Sequence, residues 1–448
     1  MKLPSSLCSE AKRFKDLQQC VDAPPLLVLR TSEALGPQAW LLVGSHSTQL
    51  GCFIAETGVA LWRTELSDRI EGGCACASIA GRLLVYAVCY DGRMHCLDLV
   101  SGSRRWSSSV SLPTDANTEI KSAPLVDSEA GIALTGTHGG TVAAFSACAG
   151  HLLWRLRLPG AIFATPLLMP ARGEMSLGYL CLTRGQAIFK FFCGATSVSW
   201  LSHDVMSFDD FEEGVGPNCT VQVCNSQDFS QKPVQAWSVR LAAPIFAAPV
   251  FVEALTSLLV LSVEGLLALF TAGGDIVWSL SLDGQAFATP CVHEGQAFVG
   301  THGGGVSAVR LVDGHLLWRC ELSDVIYGSP FLLKPAQTRG WEDRCLLVAT
   351  RSGVLHVLDA AHGSQLQQAQ LEGEVFSSPV SWSSCGERPD TDVLQQHEVA
   401  TVHIAVGCRD NHVYCFKLQD LQPASLDTEA ASWATSTGSQ CDAKEAPA

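Results

Sequence analysis

Short apolar runs alternate with polar turns along almost the whole chain. The clearest copy is Val299-Gly300-Thr301-His302-Gly303-Gly304-Gly305-Val306-Ser307-Ala308-Val309, an apolar stretch, a Gly-rich turn and an alternating stretch. Period-two alternation on either side of such a turn predicts a β-hairpin. The hairpin recurs eight times, with turns near residues 46, 90, 138, 184, 264, 302, 351 and 409.

Two further signatures bracket each hairpin. After it comes Gly-x-x-x-Trp, at Gly58/Trp62, Gly102/Trp106, Gly150/Trp154, Gly274/Trp278 and Gly314/Trp318, with Trp237 in the same place but lacking the Gly. Before it comes a small-small-Pro triplet: Ser122-Ala123-Pro124, Ala164-Thr165-Pro166, Ala247-Ala248-Pro249, Ala288-Thr289-Pro290, Gly328-Ser329-Pro330 and Ser377-Ser378-Pro379. Ala23-Pro24-Pro25 is the first copy, and Cys74-Ala75-Cys76-Ala77-Ser78 stands in its place in the second unit without the Pro.

Each unit reads as four strands. Strand A starts at the triplet, B and C form the hairpin, and D carries the Trp. A repeat of about 40 residues with four strands is the period of a propeller blade. Small residues suit the crowded innermost strand, and Pro is tolerated at a strand's first residue. The Trp supplies an apolar body to fill the gap between blades. The expected fold is an all-β, eight-bladed propeller, or a seven-bladed one if one unit is not a full blade. The last unit lacks its own strand D. The N-terminal segment Arg13-Phe14-Lys15-Asp16-Leu17 is expected to supply it and close the ring, which removes exposed sheet edges.

Composition supports a folded chain. Of 448 residues, 47% are apolar and only 16% charged. Residues 10–418 are expected to form the propeller, after a flexible 1–9 and before a disordered 419–448. An acidic insertion at about 195–233 separates strands C and D of the fourth unit. A net charge of −15 disfavours nucleic acid and anionic membranes as partners. The N-terminus has no apolar stretch of signal-peptide type, and no run approaches the ~20 residues of a membrane span. With 19 cysteines at irregular spacing, a reducing cytoplasm is expected. The chain is expected to be a monomer.

The repeat resembles the pyrroloquinoline-quinone (PQQ) repeat family. Two stretches are more specific: Gly373-Glu374-Val375-Phe376-Ser377-Ser378-Pro379-Val380 and Gly407-Cys408-Arg409-Asp410-Asn411-His412-Val413-Tyr414-Cys415. Together with Gly44-Ser45-His46-Ser47 and Asp68-Arg69-Ile70-Glu71, they resemble the C-terminal propeller of β-alanine-activating enzymes. That family is related to acyl-CoA synthetases and non-ribosomal peptide synthetases. In it, an adenylation domain and a phosphopantetheine carrier domain precede the propeller and perform the acid–thiol ligation. Neither the adenylate loop nor the Gly-Gly-x-Ser carrier motif is found in this sequence, so the resemblance implies a non-catalytic interaction or scaffold module. Its expected partner is a phosphopantetheine carrier or an acyl acceptor. A PQQ-dependent dehydrogenase and a sensor of small anions are the alternatives. No bound cofactor is expected, since fold does not imply function.

Several constellations reduce to turns. Thr301-His302-Gly303-Gly304-Gly305 imitates an esterase oxyanion motif but has no Gly-x-Ser-x-Gly partner, and Thr137-His138-Gly139-Gly140 repeats it at the equivalent place. Cys74-x-Cys76 and Cys219…Cys224 lack the second pair a structural zinc requires, so no metal site is expected. One set is not absorbed in this way. The turn positions His46, Tyr90, His138, Arg184, Glu264, His302, Arg351 and Arg409 are expected to form a ring on the face shared by the B–C turns and D–A connections. Its Arg and His residues make it a candidate face for an anionic ligand or carrier.

Overall fold

The computed structural model describes residues 12–14, 17–32, 36–169, 178–182, 187–192, 234–322, 324–333, 344–384, 401–418 and 422–423. The acidic insertion, and the tail apart from Gln422–Pro423, lie outside the described residues.

The propeller expectation is borne out. Among the described residues the strands pair into eight antiparallel sheets, one per sequence repeat, numbered here in repeat order. In each, the strands follow one another from the inside outwards, as in sheet 2: Ala75–Ile79, Arg82–Val88, Arg93–Asp98 and Arg104–Ser109. Sheet 8 consists of Val380–Ser384, Thr401–Gly407 and Val413–Lys417, and its outermost strand is the N-terminal Lys12–Phe14. Phe14 pairs with Val413 and Lys12 with Cys415, so the two ends of the chain close the ring. Sheet 7 gains a fifth strand, Gln422–Pro423, on the edge of Gln365–Gln370.

The core is a ring of wedges, each wedge shared by neighbouring sheets. One wedge sets Leu42, Leu50 and Ile70 against Val85, Ala87 and Leu97; another sets Val357 and Leu371 against Ile404 and Val406. This explains the burial pattern. Strand Ser257–Leu261, covered on both faces, is buried throughout, whereas the outer strand Leu316–Glu321 alternates between exposed and half-buried.

Each repeat signature has a mechanical cause. Trp62, Trp106, Trp154, Trp237, Trp278 and Trp318 all lie on outermost strands. Five of these indoles, those of Trp62, Trp106, Trp237, Trp278 and Trp318, reach the next sheet: the Nε1–H groups of Trp62, Trp278 and Trp318 donate to the carbonyls of Leu99, Leu311 and Ala360 at 2.8, 2.7 and 2.9 Å. At Gly102, Gly150, Gly274 and Gly314 the Gly of Gly-x-x-x-Trp sits against the Trp of the preceding sheet. A Cβ on Gly102 would lie 2.5 Å from the Trp62 ring, and Gly102 also holds φ +68°, a conformation that favours glycine. The middle residue of the triplet links innermost strands. Ala248 N–H donates to Thr289 Oγ1, Thr289 N–H to Ser329 Oγ and Ser329 N–H to Ser378 Oγ, at 3.0, 3.0 and 2.8 Å. These hydroxyls satisfy edge donors that a narrow channel would otherwise strand.

One triplet is placed differently from the sequence expectation. Strand A starts directly after the triplet: Leu26 follows Pro25, Leu125 follows Pro124 and Val250 follows Pro249. In sheet 2 the strand starts at Ala75, so Gly72-Gly73-Cys74 is the second triplet, and Cys74-Ala75-Cys76-Ala77-Ser78 is not. A Cβ on Gly72 would lie 2.6 Å from the Ser122 carbonyl oxygen, the crowding that Gly328 meets at Ser377.

Candidate functional site

The B–C turns and D–A connections share one face and are zipped together by backbone hydrogen bonds. The N–H groups of His46, Tyr90, His138, His302, Arg351 and Arg409 donate to the carbonyls of Cys20, Arg69, Glu119, Gln285, Val325 and Glu374. In sheet 5 the residue that makes this bond is Val263, to Pro244 at 2.8 Å. Glu264 is therefore one position off the expected ring and is a solvent-exposed turn residue. The turn Gly decides the register. Counting back two from Gly92, Gly140, Gly304 and Gly353, all at positive φ, gives Tyr90, His138, His302 and Arg351, and counting back two from Gly265 gives Val263. Arg184 lies outside the described residues.

The expected basic ring is largely neutralised by carboxylates of the connections. Arg409 binds Asp22 through two hydrogen bonds, of 2.9 and 2.8 Å, with His46 Nε2 3.4 Å from the same carboxylate. Burial pushes the Asp22 carboxyl up, but Arg409 and then His46 outweigh it and hold it down at about 2. Arg351 stands 3.6 Å from Asp324. Burial, and then the Arg351 charge, push the His302 imidazole below its usual value, which favours its neutral form. Both His-Gly-Gly segments are hairpin turns, closed by Gly140 N–H to Thr137 O and Gly304 N–H to Thr301 O, each 3.0 Å.

The structure adds a second, inner ring that the sequence expectation did not contain. It is the residue just before each small-small-Pro triplet: Asp22, Glu71, Lys121, Phe163, Phe246, Phe287, Tyr327 and Phe376, in sheets 1 to 8. The five aromatics touch in sequence, with ring centroids 4.5, 5.5, 6.3 and 4.4 Å apart from Phe163 round to Phe376. His138 joins this crescent at Phe163 (4.2 Å), and His302 bridges Phe287 and Tyr327 (5.0 and 4.7 Å). Arg409 caps its end, 3.6 Å from the Phe376 ring centre. All five rings are half-buried, so each keeps a solvent-facing part. Of the three charged positions, Glu71 and Lys121 line a cavity of about 320 Å³, with residues that include Pro24, Gly73, Cys74 and Ala123.

Cys74 and Cys76 at this end are half-buried; partial burial, with the neighbouring Cys89 and Cys76, pushes the Cys74 thiol up to about 12. Cys219 and Cys224 lie outside the described residues. Among the described residues, no group of three or more His, Cys, Asp or Glu is placed to hold a metal ion.

A family model described as outer membrane protein assembly factor BamB, of the PQQ repeat type, matches residues 28–167 and 234–374. The chain belongs to that family. The fold is shared with solved structures of low identity. BamB from Moraxella catarrhalis superposes with a TM-score of 0.59 at 14% identity, covering 91% of this chain and 98% of that one. Sqt1 from Saccharomyces cerevisiae gives a TM-score of 0.62 at 10% identity, covering 90% and 97%. Curated relatives carry the name β-alanine-activating enzyme. The Homo sapiens protein is 29% identical over 158 residues, which is 35% of this chain and 12% of that protein. The Drosophila melanogaster protein is 22% identical over 424 residues, 89% of this chain and 34% of that protein. This chain thus spans from about an eighth to about a third of these relatives' length. In the described residues no helix is long and apolar enough to cross a membrane.

Proposed function

We propose that this chain is a non-catalytic propeller module of the β-alanine-activating type, docking a phosphopantetheine carrier or acyl acceptor through the mouth of its channel. The aromatic crescent is the observation that carries this reading. The repeat does not need aromatic rings at that position, since sheets 1 to 3 fold with Asp22, Glu71 and Lys121 there. Five consecutive sheets nevertheless place Phe or Tyr at it, half-exposed and in mutual contact. Contiguous exposed apolar surface of this kind marks interaction sites, and aromatics concentrate binding energy there. The setting is a reducing cytoplasm, in keeping with the buried thiols of Cys52, Cys89 and Cys408.

The test is binding of the purified chain to a carrier domain bearing its phosphopantetheine thiol. Replacing Phe287 and Tyr327 together by Ala should abolish binding while the thermal midpoint stays close to that of the parent. Unchanged affinity would overturn the reading.

A further inference from the structure

The charged sector of the mouth is built differently from the rest. Arg409 and Arg351 each face their own carboxylates, Asp22 with Glu374 and Asp324 respectively. Between sheets 2 and 3, one carboxylate serves two cations: Glu71 lies 2.7 Å from Arg69 Nε and 3.1 Å from Lys121 Nζ. Asp68, next in sequence, is engaged by the Arg69 backbone N–H at 2.7 Å. Both cations rest on Tyr90, at 3.6 and 5.7 Å from its ring centre. The Lys121 side chain is also 40% exposed and lines the adjoining cavity.

Beside this cluster lies the cavity of about 320 Å³. Its origin is in the repeat. Sheets 4 to 8 place an aromatic ring before their triplets, while sheet 2 has Glu71 followed by Gly72-Gly73-Cys74, and sheet 3 has Lys121 followed by Ser122-Ala123. Pro24, Pro25, Leu26 and Ala123 supply apolar wall, and Glu71 and Lys121 the charged groups. A few polar groups in an apolar concavity of roughly 300 Å³ or more is the usual form of a small-molecule site.

We propose that this cavity binds a small organic carboxylate with a short apolar body. The ligand carboxylate pairs with the Lys121 ammonium, the cation that lines the cavity, and the apolar body lies against Pro24, Pro25, Leu26 and Ala123. A carboxylate is favoured over a cation because two cations share one acidic side chain, so a second carboxylate completes the cluster. This goes beyond the carrier-docking reading and stands or falls separately from it.

Isothermal titration calorimetry of the full chain with hexanoate and benzoate, against benzamide and hexylammonium, provides the test. The two carboxylates should bind at millimolar concentrations or below, and the amide and the ammonium should not. Lys121→Met should weaken hexanoate by about tenfold or more, a loss of one charge-assisted pair. Glu71→Gln should tighten it, because it removes the competing carboxylate and leaves both cations. Ala123→Leu should abolish binding by filling the cavity while the Lys121–Glu71 pair remains. Absence of carboxylate binding, binding of hexylammonium instead, or a loss in Glu71→Gln equal to that in Lys121→Met would each overturn the proposal.

Discussion

Ring closure offers a prediction with a magnitude. The chain ends meet where Lys12–Phe14 joins sheet 8 and where Arg409 clasps Asp22, residues far apart in sequence. Asp22→Asn removes the charge and leaves the outline of the side chain. The Asp22 carboxyl is held at about 2 against an ordinary 3.8. A shift of that size corresponds to roughly 2.4 kcal/mol of preference for the ionised form. Arg409 is 36% exposed, so solvent screening reduces this to about 1–2 kcal/mol. The sign follows from the depressed value. The contribution is fully present above pH 3.8 and is lost as pH falls through 3.8 towards 2. Thermal unfolding at pH 7 should therefore show a lower midpoint for Asp22→Asn, and the difference from the parent should close by pH 2. Hydrogen exchange supplies a local readout, since Lys12–Phe14 should lose protection before strands of sheets 3 to 6. A difference that persists at pH 2, or none at pH 7, would refute the electrostatic account of closure.

Three further outcomes are expected. Gly102→Ala places a methyl 2.5 Å from the Trp62 ring at a φ of +68°, and should cost about 1–3 kcal/mol in thermal or denaturant unfolding. Burial pushes His95 and His356 down to about 4, with Arg104 and Arg93 adding to the effect on His95. The unfolded chain takes up these protons first, so stability should fall as pH drops from 6.5 towards 4, and His356→Leu should flatten that decline in a pH series of unfolding midpoints. Trp278→Phe deletes the 2.7 Å hydrogen bond to the Leu311 carbonyl and should cost about 1–2 kcal/mol by the same unfolding assay, leaving carrier binding unchanged.

The sheets were legible in the sequence because each repeat mark is a physical requirement. Gly102, Gly150, Gly274 and Gly314 exist because the preceding Trp lies against each, and the hydroxyl in Thr289 or Ser329 exists because a neighbouring N–H needs it. The closing strand was legible as a missing outer strand at one end and a spare one at the other. Two places were harder to read for a common reason. Val263 is apolar where its counterparts are polar, and Gly72-Gly73-Cys74 lacks Pro, so residue type misleads there while backbone register does not. The aromatic crescent was written one residue ahead of each triplet, but nothing in a linear reading shows that Phe163 and Phe376 belong to one contiguous surface. That follows only from closing the ring. Ion pairing is equally invisible in sequence: Arg351 and Arg409 read as free cations until Asp324 and Asp22 are seen opposite them.

The most direct test of the account is a hydrogen-exchange footprint of the chain with and without a phosphopantetheine-loaded carrier domain. The account predicts protection confined to the connections that carry Phe163, Phe246, Phe287, Tyr327 and Phe376. Protection on the outer strands instead, or none anywhere at saturating carrier, would contradict it.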